Sequence, residues 1–221
     1  IKKRAKEDAS RVKDDLIKNC YISAFDVEDS SLKNLIIIGT KCLIDNKSQR
    51  NVYTDNKRLR DELIYFNFYD NKPKYADVLN LLLPLILSNT NIQKSEEEVL
   101  SLIQKYIKYL KKDQYLFDYI LASVLYNSLI HNLMDNQNME YEEILQSIKE
   151  KMIGLQIDLE KSNMIKFQMT RIKAIQIIDN YIDLKVCDYK ENEIITNLLN
   201  VIYDIYIEDR ESLNDGIYSI K

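Results

Sequence analysis

The sequence predicts an all-α fold, a compact bundle of about eight to ten helices joined by short polar loops. Three observations carry that expectation. Apolar residues recur at helical spacing along nearly the whole chain, and no five-residue stretch alternates as a strand does. Glycine occurs 3 times and proline 2 times in 221 residues, where average usage would give roughly 15 and 11. Hairpin turns of the Asn-Gly or Asp-Gly kind are nearly absent, with Asp215-Gly216 as the one candidate.

The elements follow in order. Val12, Leu16, Ile17, Cys20 and Ala24 make a first stripe. After a break at Asp26 to Ser31, residues Leu32, Leu35, Ile36, Cys42 and Leu43 continue at helical spacing. Leu59, Leu63, Ile64 and Phe66 form a third segment, which Asp70-Asn71-Lys72-Pro73 closes because the residue before proline avoids the helical region. Tyr75 to Leu87 is apolar almost all round, the mark of a buried helix, and Pro84 should kink it or open a new turn.

Ser95-Glu96-Glu97-Glu98 reads as a capping box at a helix start, with Val99, Leu102, Ile103, Tyr106 and Leu110 as the buried face. The next helix spans about Gln114 to Asp135, with Phe117, Ile120, Leu121, Val124, His131 and Met134 turned inward. Asn138 is placed to cap another, whose stripe Tyr141, Ile144, Leu145, Ile148, Met152, Leu155 and Leu159 holds 3-4 spacing. A helix over about Asn163 to Val186 follows. Asp188-Tyr189-Lys190-Glu191 then reads as a capping box opening the last, through Ile195, Leu198, Leu199, Ile202 and Ile205. One domain over residues 1–221 is expected at this length. No motif recurs at a period of 33 to 45 residues, so a helical solenoid adaptor binding a peptide is the weaker architecture.

Composition removes several function classes. The isolated Gly39, Gly154 and Gly216 cannot build a Rossmann fingerprint, a P-loop or a nucleophile elbow, which need glycines close together. A formal net charge of -4, from 31 Lys+Arg against 35 Asp+Glu, lacks the basic excess of a nucleic-acid binder. The short basic run Ile1-Lys2-Lys3-Arg4-Ala5-Lys6 reads as a solvated helical end. The 16 tyrosines read as amphipathic packing residues rather than base-stacking platforms. The longest apolar stretch, Leu79 to Leu87, falls short of the ~20 residues of a bilayer span. Cys20, Cys42 and Cys187 form no C-x-x-C pair and lie in helix-periodic segments, which points to buried reduced thiols and a cytoplasmic setting.

Few residues suggest chemistry. His131 is the one histidine, so neither a diiron pair of Glu-x-x-His motifs nor a two-histidine zinc site can be built. It reads as a helix histidine with Asp135 one turn on. The carboxylate pairs Asp179/Asp183 and Asp204/Glu208 share helix faces at i, i+4, where magnesium or a diphosphate could sit, but they read as solvated faces. Glu142-Glu143 answers to a helix dipole. No catalytic, cofactor-binding or metal residue is assigned, and no cofactor is called for.

Arg11 to Asp26 resembles the opening helix of the ADP-ribosylglycohydrolase family, with its basic-acidic start, apolar pair and closing aspartate. Tyr75 to Leu87 is similar to that family's central helix, where a proline follows a buried apolar run. The later helices, through Met134 and Tyr141, fit its order. The resemblance implies an orthogonal all-α bundle and a magnesium-dependent hydrolase of ADP-ribose linkages. It equally implies that the machinery has been lost. Asn19 and Ile22 stand where the family has its opening glycines, Leu81 stands at its arginine, and the late Asp-x-Asp motif has no match. Val27-Glu28-Asp29-Ser30 is the counterpart of its Thr-Asp-Asp-Thr motif, leaving Glu28 and Asp29 as remnants of a metal site. The expected function is therefore that of a non-catalytic helical protein, a pseudoenzyme of that kind, binding a protein partner or a second copy of itself. The hydrolase is the alternative.

Overall fold

A computed structural model describes residues 30–68, 78–135, 139–188 and 193–208. Among these, eight helices and one two-stranded sheet follow in the order α1 (Ser30–Lys41), β1 (Leu43–Asn46), β2 (Asn51–Thr54), α2 (Asn56–Phe68), α3 (Val78–Ser88), α4 (Ile92–Leu110), α5 (Leu116–Asp135), α6 (Tyr141–Gly154), α7 (Lys161–Ile182) and α8 (Ile194–Tyr206), with a 3-10 turn at Asp113–Tyr115 before α5. The all-α expectation holds. The first stripe, Val12 to Ala24, lies outside the described residues, as do Asp70 to Pro73 and Asn138.

The helix α5 organises the bundle. It is buried continuously from Tyr119 to His131, and α3, α4, α6, α7 and α8 all pack against it. One helix surrounded by five is the arrangement of a bundle; in a solenoid each unit meets only its neighbours in sequence. Tyr106, Tyr119, Tyr126 and Tyr181 are among the largest fully buried side chains, so these tyrosines do serve as packing residues. Phe117 meets Phe167 edge-on at 5.7 Å between ring centroids, joining α5 to α7.

Helix α3 is buried from Val78 to Leu87, as its nearly all-apolar composition requires, and it runs through Pro84. Helix α1 crosses it closely at Gly39. A Cβ there would stand 2.8 Å from the carbonyl oxygen of Leu81 and 3.5 Å from Pro84 Cγ. Only hydrogen fits, which explains this glycine within a helix.

The hairpin is a correction to the strand-free expectation. Leu43, expected to extend a helical stripe, pairs with Thr54 in an antiparallel ladder running to Asn46 and Asn51. The helical run stops at Lys41, and the Asp55 amide donates to the Cys42 carbonyl at 2.7 Å. Distant side chains hold the sheet. Asn89, at the end of α3, accepts from the Val52 amide at 2.8 Å and donates to the Val52 carbonyl at 2.8 Å, as a neighbouring strand would. Asn51 Nδ2 donates to Glu98 at 2.9 Å. Asp55 then caps α2, its Oδ1 accepting from the amides of Lys57 and Arg58 at 3.0 and 3.1 Å.

The start of α4 is a second correction. Asn91, not Ser95, is the cap, its Oδ1 accepting from the amides of Gln93 and Lys94 at 3.1 and 3.0 Å. Asn is at least as good a cap as Ser. Ser95 is instead buried inside the helix, donating to Asn127 Oδ1 of α5 at 2.6 Å. Glu96 and Glu98 thus lie beyond the first turn, and burial raises both carboxyls above their ordinary range. Helix α6 opens at Tyr141, where Glu143 accepts from the Glu140 amide at 3.1 Å and Glu142-Glu143 occupy the first turn as expected. It ends at Gly154, so Leu155 and Leu159 lie past the helix; Leu155 is buried there and Leu159 packs partly against the core. Helix α7 stops at Ile182, before the expected Val186, where Leu184 takes a left-handed φ of 58°. Helix α8 begins at Ile194; Tyr189 to Glu191 of the expected capping box lie outside the described residues. Ile64, expected in the core, is exposed on α2, while Leu59 and Leu63 are buried.

Candidate interaction surface

Several of the chemically suggestive residues are buried in the bundle. His131 is buried in α5. Cys42 is buried where α1 meets the hairpin, and burial, reinforced by Glu62 and Asp55 against Arg58 and Lys41, pushes its thiol up to about 11. Such a thiol is protonated at neutral pH and is a poor nucleophile. Cys187 is half-buried in the loop after α7 rather than on a helix, its amide donating to the Tyr181 hydroxyl at 3.2 Å. Cys20, Glu28, Asp29 and the basic run at residues 1–6 lie outside the described residues.

The two carboxylate pairs separate. Asp179 pairs with Lys149 of α6 at 2.5 Å, and Asp183 with Lys185 at 3.0 Å, both at the surface. Asp204, by contrast, is buried while Glu208 is exposed, so this pair is not the solvated face expected. Among the described residues no group of three or more His, Cys, Asp and Glu side chains is placed to hold a metal ion. No described helix is long and apolar enough to cross a membrane.

The tyrosine hydroxyls serve the packing of α6, α7 and α8. Tyr141 donates to the Tyr181 carbonyl at 3.0 Å, and Tyr181 donates to Asn200 of α8. Burial pushes the Tyr141 phenol up to about 12, with Tyr203 adding to the shift. Its ring meets Tyr203 edge-on at 6.2 Å.

The hollows among the described residues include three. One of about 270 Å³ lies between α5, α7 and the start of α8, where Asp118, Lys173 and Glu193 converge with Thr170 and Thr196. Desolvation raises the Asp118 carboxyl; Lys173 opposes the shift and Glu193 adds to it. Within this hollow the Thr196 hydroxyl donates to Glu193 Oε2 at 3.3 Å. A second, about 240 Å³, is lined by amides and hydroxyls of the hairpin with Glu98 and Lys105. The third, about 520 Å³, is an open, mixed-charge hollow beside α2.

The outer face of α7 is different in kind. Phe167, Ala174, Ile178 and Tyr181 face the bundle. On the opposite side Ile165, Met169 and Ile172 are 58%, 68% and 55% exposed. They stand at i, i+4 and i+7, which places them in one row. Ile153, at the end of α6, is exposed as well, and its carbonyl accepts from Arg171 of α7 at 3.2 Å. Arg171 also donates to the Leu155 carbonyl at 2.9 Å and lies 5.5 Å over the Phe167 ring, fixing α7 against α6. The row therefore sits on a helix anchored to the end of α6.

Sequence periodicity missed this row because α7 carries apolar residues on both faces, and spacing does not say which face is covered. It also missed the meeting of Asp118, Lys173 and Glu193, which only the packing of three helices creates. No protein-family model, no curated protein and no solved structure matches this chain.

Proposed function

We propose that this chain is a non-catalytic helical protein of the cytoplasm that acts by protein–protein interaction, docking through the outer face of α7. The observation that carries the reading is the row Ile165, Met169 and Ile172, three large apolar side chains each more than half exposed. Exposed apolar rows of this kind mark interaction sites. Two further observations support it. The histidine and Cys42 are buried in the bundle. On the resemblance read from the sequence, Leu81 would stand where the ADP-ribosylglycohydrolase family has an arginine, and its burial in the core would suit a pseudoenzyme of that descent.

A photo-crosslinking residue placed at Met169 tests the reading in cells that make the protein. The expected result is a covalent adduct of discrete mass, absent when the same residue replaces exposed Gln104 of α4. No adduct at Met169, or equal labelling at both positions, would contradict it.

A further inference from the structure

The charge around the row identifies the kind of partner. Resting on the docking reading above, we propose that the outer face of α7 takes an acidic amphipathic helix of another protein. Ile165, Met169 and Ile172 supply the anchor spacing that a helix laid alongside requires. From Lys161 to Ile178 the helix contains no Asp or Glu, although the whole chain carries a net charge of -4. Lys161 and Lys166 are exposed beside the row, whereas Lys173 faces Asp118 and Glu193 in the hollow between α5, α7 and α8. Arg171 is occupied with the end of α6 and Lys173 with the Asp118 hollow, so Lys161 and Lys166 are the charges this stretch turns outward. A second copy laid antiparallel across Met169 would bring lysines to both sides of the seam and no carboxylate from this stretch to meet them. An acidic helix meets them with opposite charge, and complementarity of this kind selects partners.

The test uses fluorescence anisotropy with two designed peptides of about 20 residues, identical in their leucine row but carrying glutamates or lysines elsewhere. Phosphatidylserine vesicles and the free protein in light scattering serve as parallel arms. The acidic peptide should bind at least about tenfold more tightly than the basic one. Its affinity should fall with added salt, in Lys161→Glu/Lys166→Glu and in Met169→Ser, whose melting temperature should match wild type. Equal affinity for both peptides, or undiminished binding by Met169→Ser, overturns the inference. A dimer dispersed by Met169→Ser would leave the docking reading standing and remove the acidic partner. Binding to vesicles without binding to the acidic peptide would remove both. A clearly lowered melting temperature for Met169→Ser would show that the row is covered by the chain itself, and would likewise remove both.

Discussion

Helices α5 and α7 are built alike and used differently. Both are long, 20 and 22 residues, and both carry apolar residues around much of their circumference. In α5 every face from Tyr119 to His131 is covered by neighbouring helices. In α7 the inner face is covered and the row Ile165, Met169 and Ile172 meets solvent. The comparison teaches that apolar residues all round a helix mark a demand for cover, and that of these two helices the bundle meets it in full for α5 and not for α7. What is left over on α7 is the surface on which the functional reading rests.

The largest effect should come from α5. Leu125 is fully buried, and Leu125→Ala should lose about 2–5 kcal/mol of unfolding free energy in urea titration, since a truncated core leucine loses both transfer energy and packing. A loss under about 1 kcal/mol would break the contrast from the α5 side.

Next is Gly39, where cover is so close that one methyl group meets the Leu81 carbonyl. Gly39→Ala should cost about 1–3 kcal/mol despite alanine's better helix propensity, because backbone has to move. Differential scanning calorimetry reads it, and an unchanged or raised melting temperature would show that α1 and α3 are less tightly joined.

Asp118 links the two helices being compared, lying on α5 across from Lys173 of α7. Burial raises its carboxyl above the ordinary aspartate value of 3.8. A raised acid favours the folded state only when protonated, so that contribution is full below 3.8 and lost as pH rises through the folded value. Asp118→Asn should therefore melt higher than wild type at pH 7, with the difference closing as pH falls below about 4. A variant less stable at pH 7 would mean that the Lys173 attraction outweighs desolvation.

The smallest contrast is Gly154, which has nothing within 4 Å of an added Cβ. Gly154→Ala should be neutral or gain up to about 0.5 kcal/mol, the reverse of Gly39. A clear loss in thermal unfolding would indicate that the end of α6 is covered.

Much of the fold was legible because helices with one kind of face announce themselves. Tyr75 to Leu87 reads as buried, and Val78 to Leu87 is. The stripe from Tyr141 to Met152 lies buried along α6. The hairpin was not legible, since Leu43–Asn46 and Asn51–Thr54 are short, lack clean alternation, and are joined through Arg50 at a φ of 53° without glycine. Its pairing depends on Asn89, remote in sequence. The capping of α4 was misplaced because Asn91 and Ser95 are both good caps, and the demand of Asn127 for a buried donor decides between them. The candidate surface was illegible for a related reason. Periodicity reveals that α7 has two apolar faces, whereas only the positions of α5, α6 and α8 reveal which of them stays bare.

The most direct measurement pairs the two helices in a single urea titration. The account predicts that Met169→Ser stays within about 0.5 kcal/mol of wild type while Leu125→Ala falls by 2 kcal/mol or more. Losses of similar size in the two variants would contradict it, because the outer row of α7 would then be as covered as the core of α5.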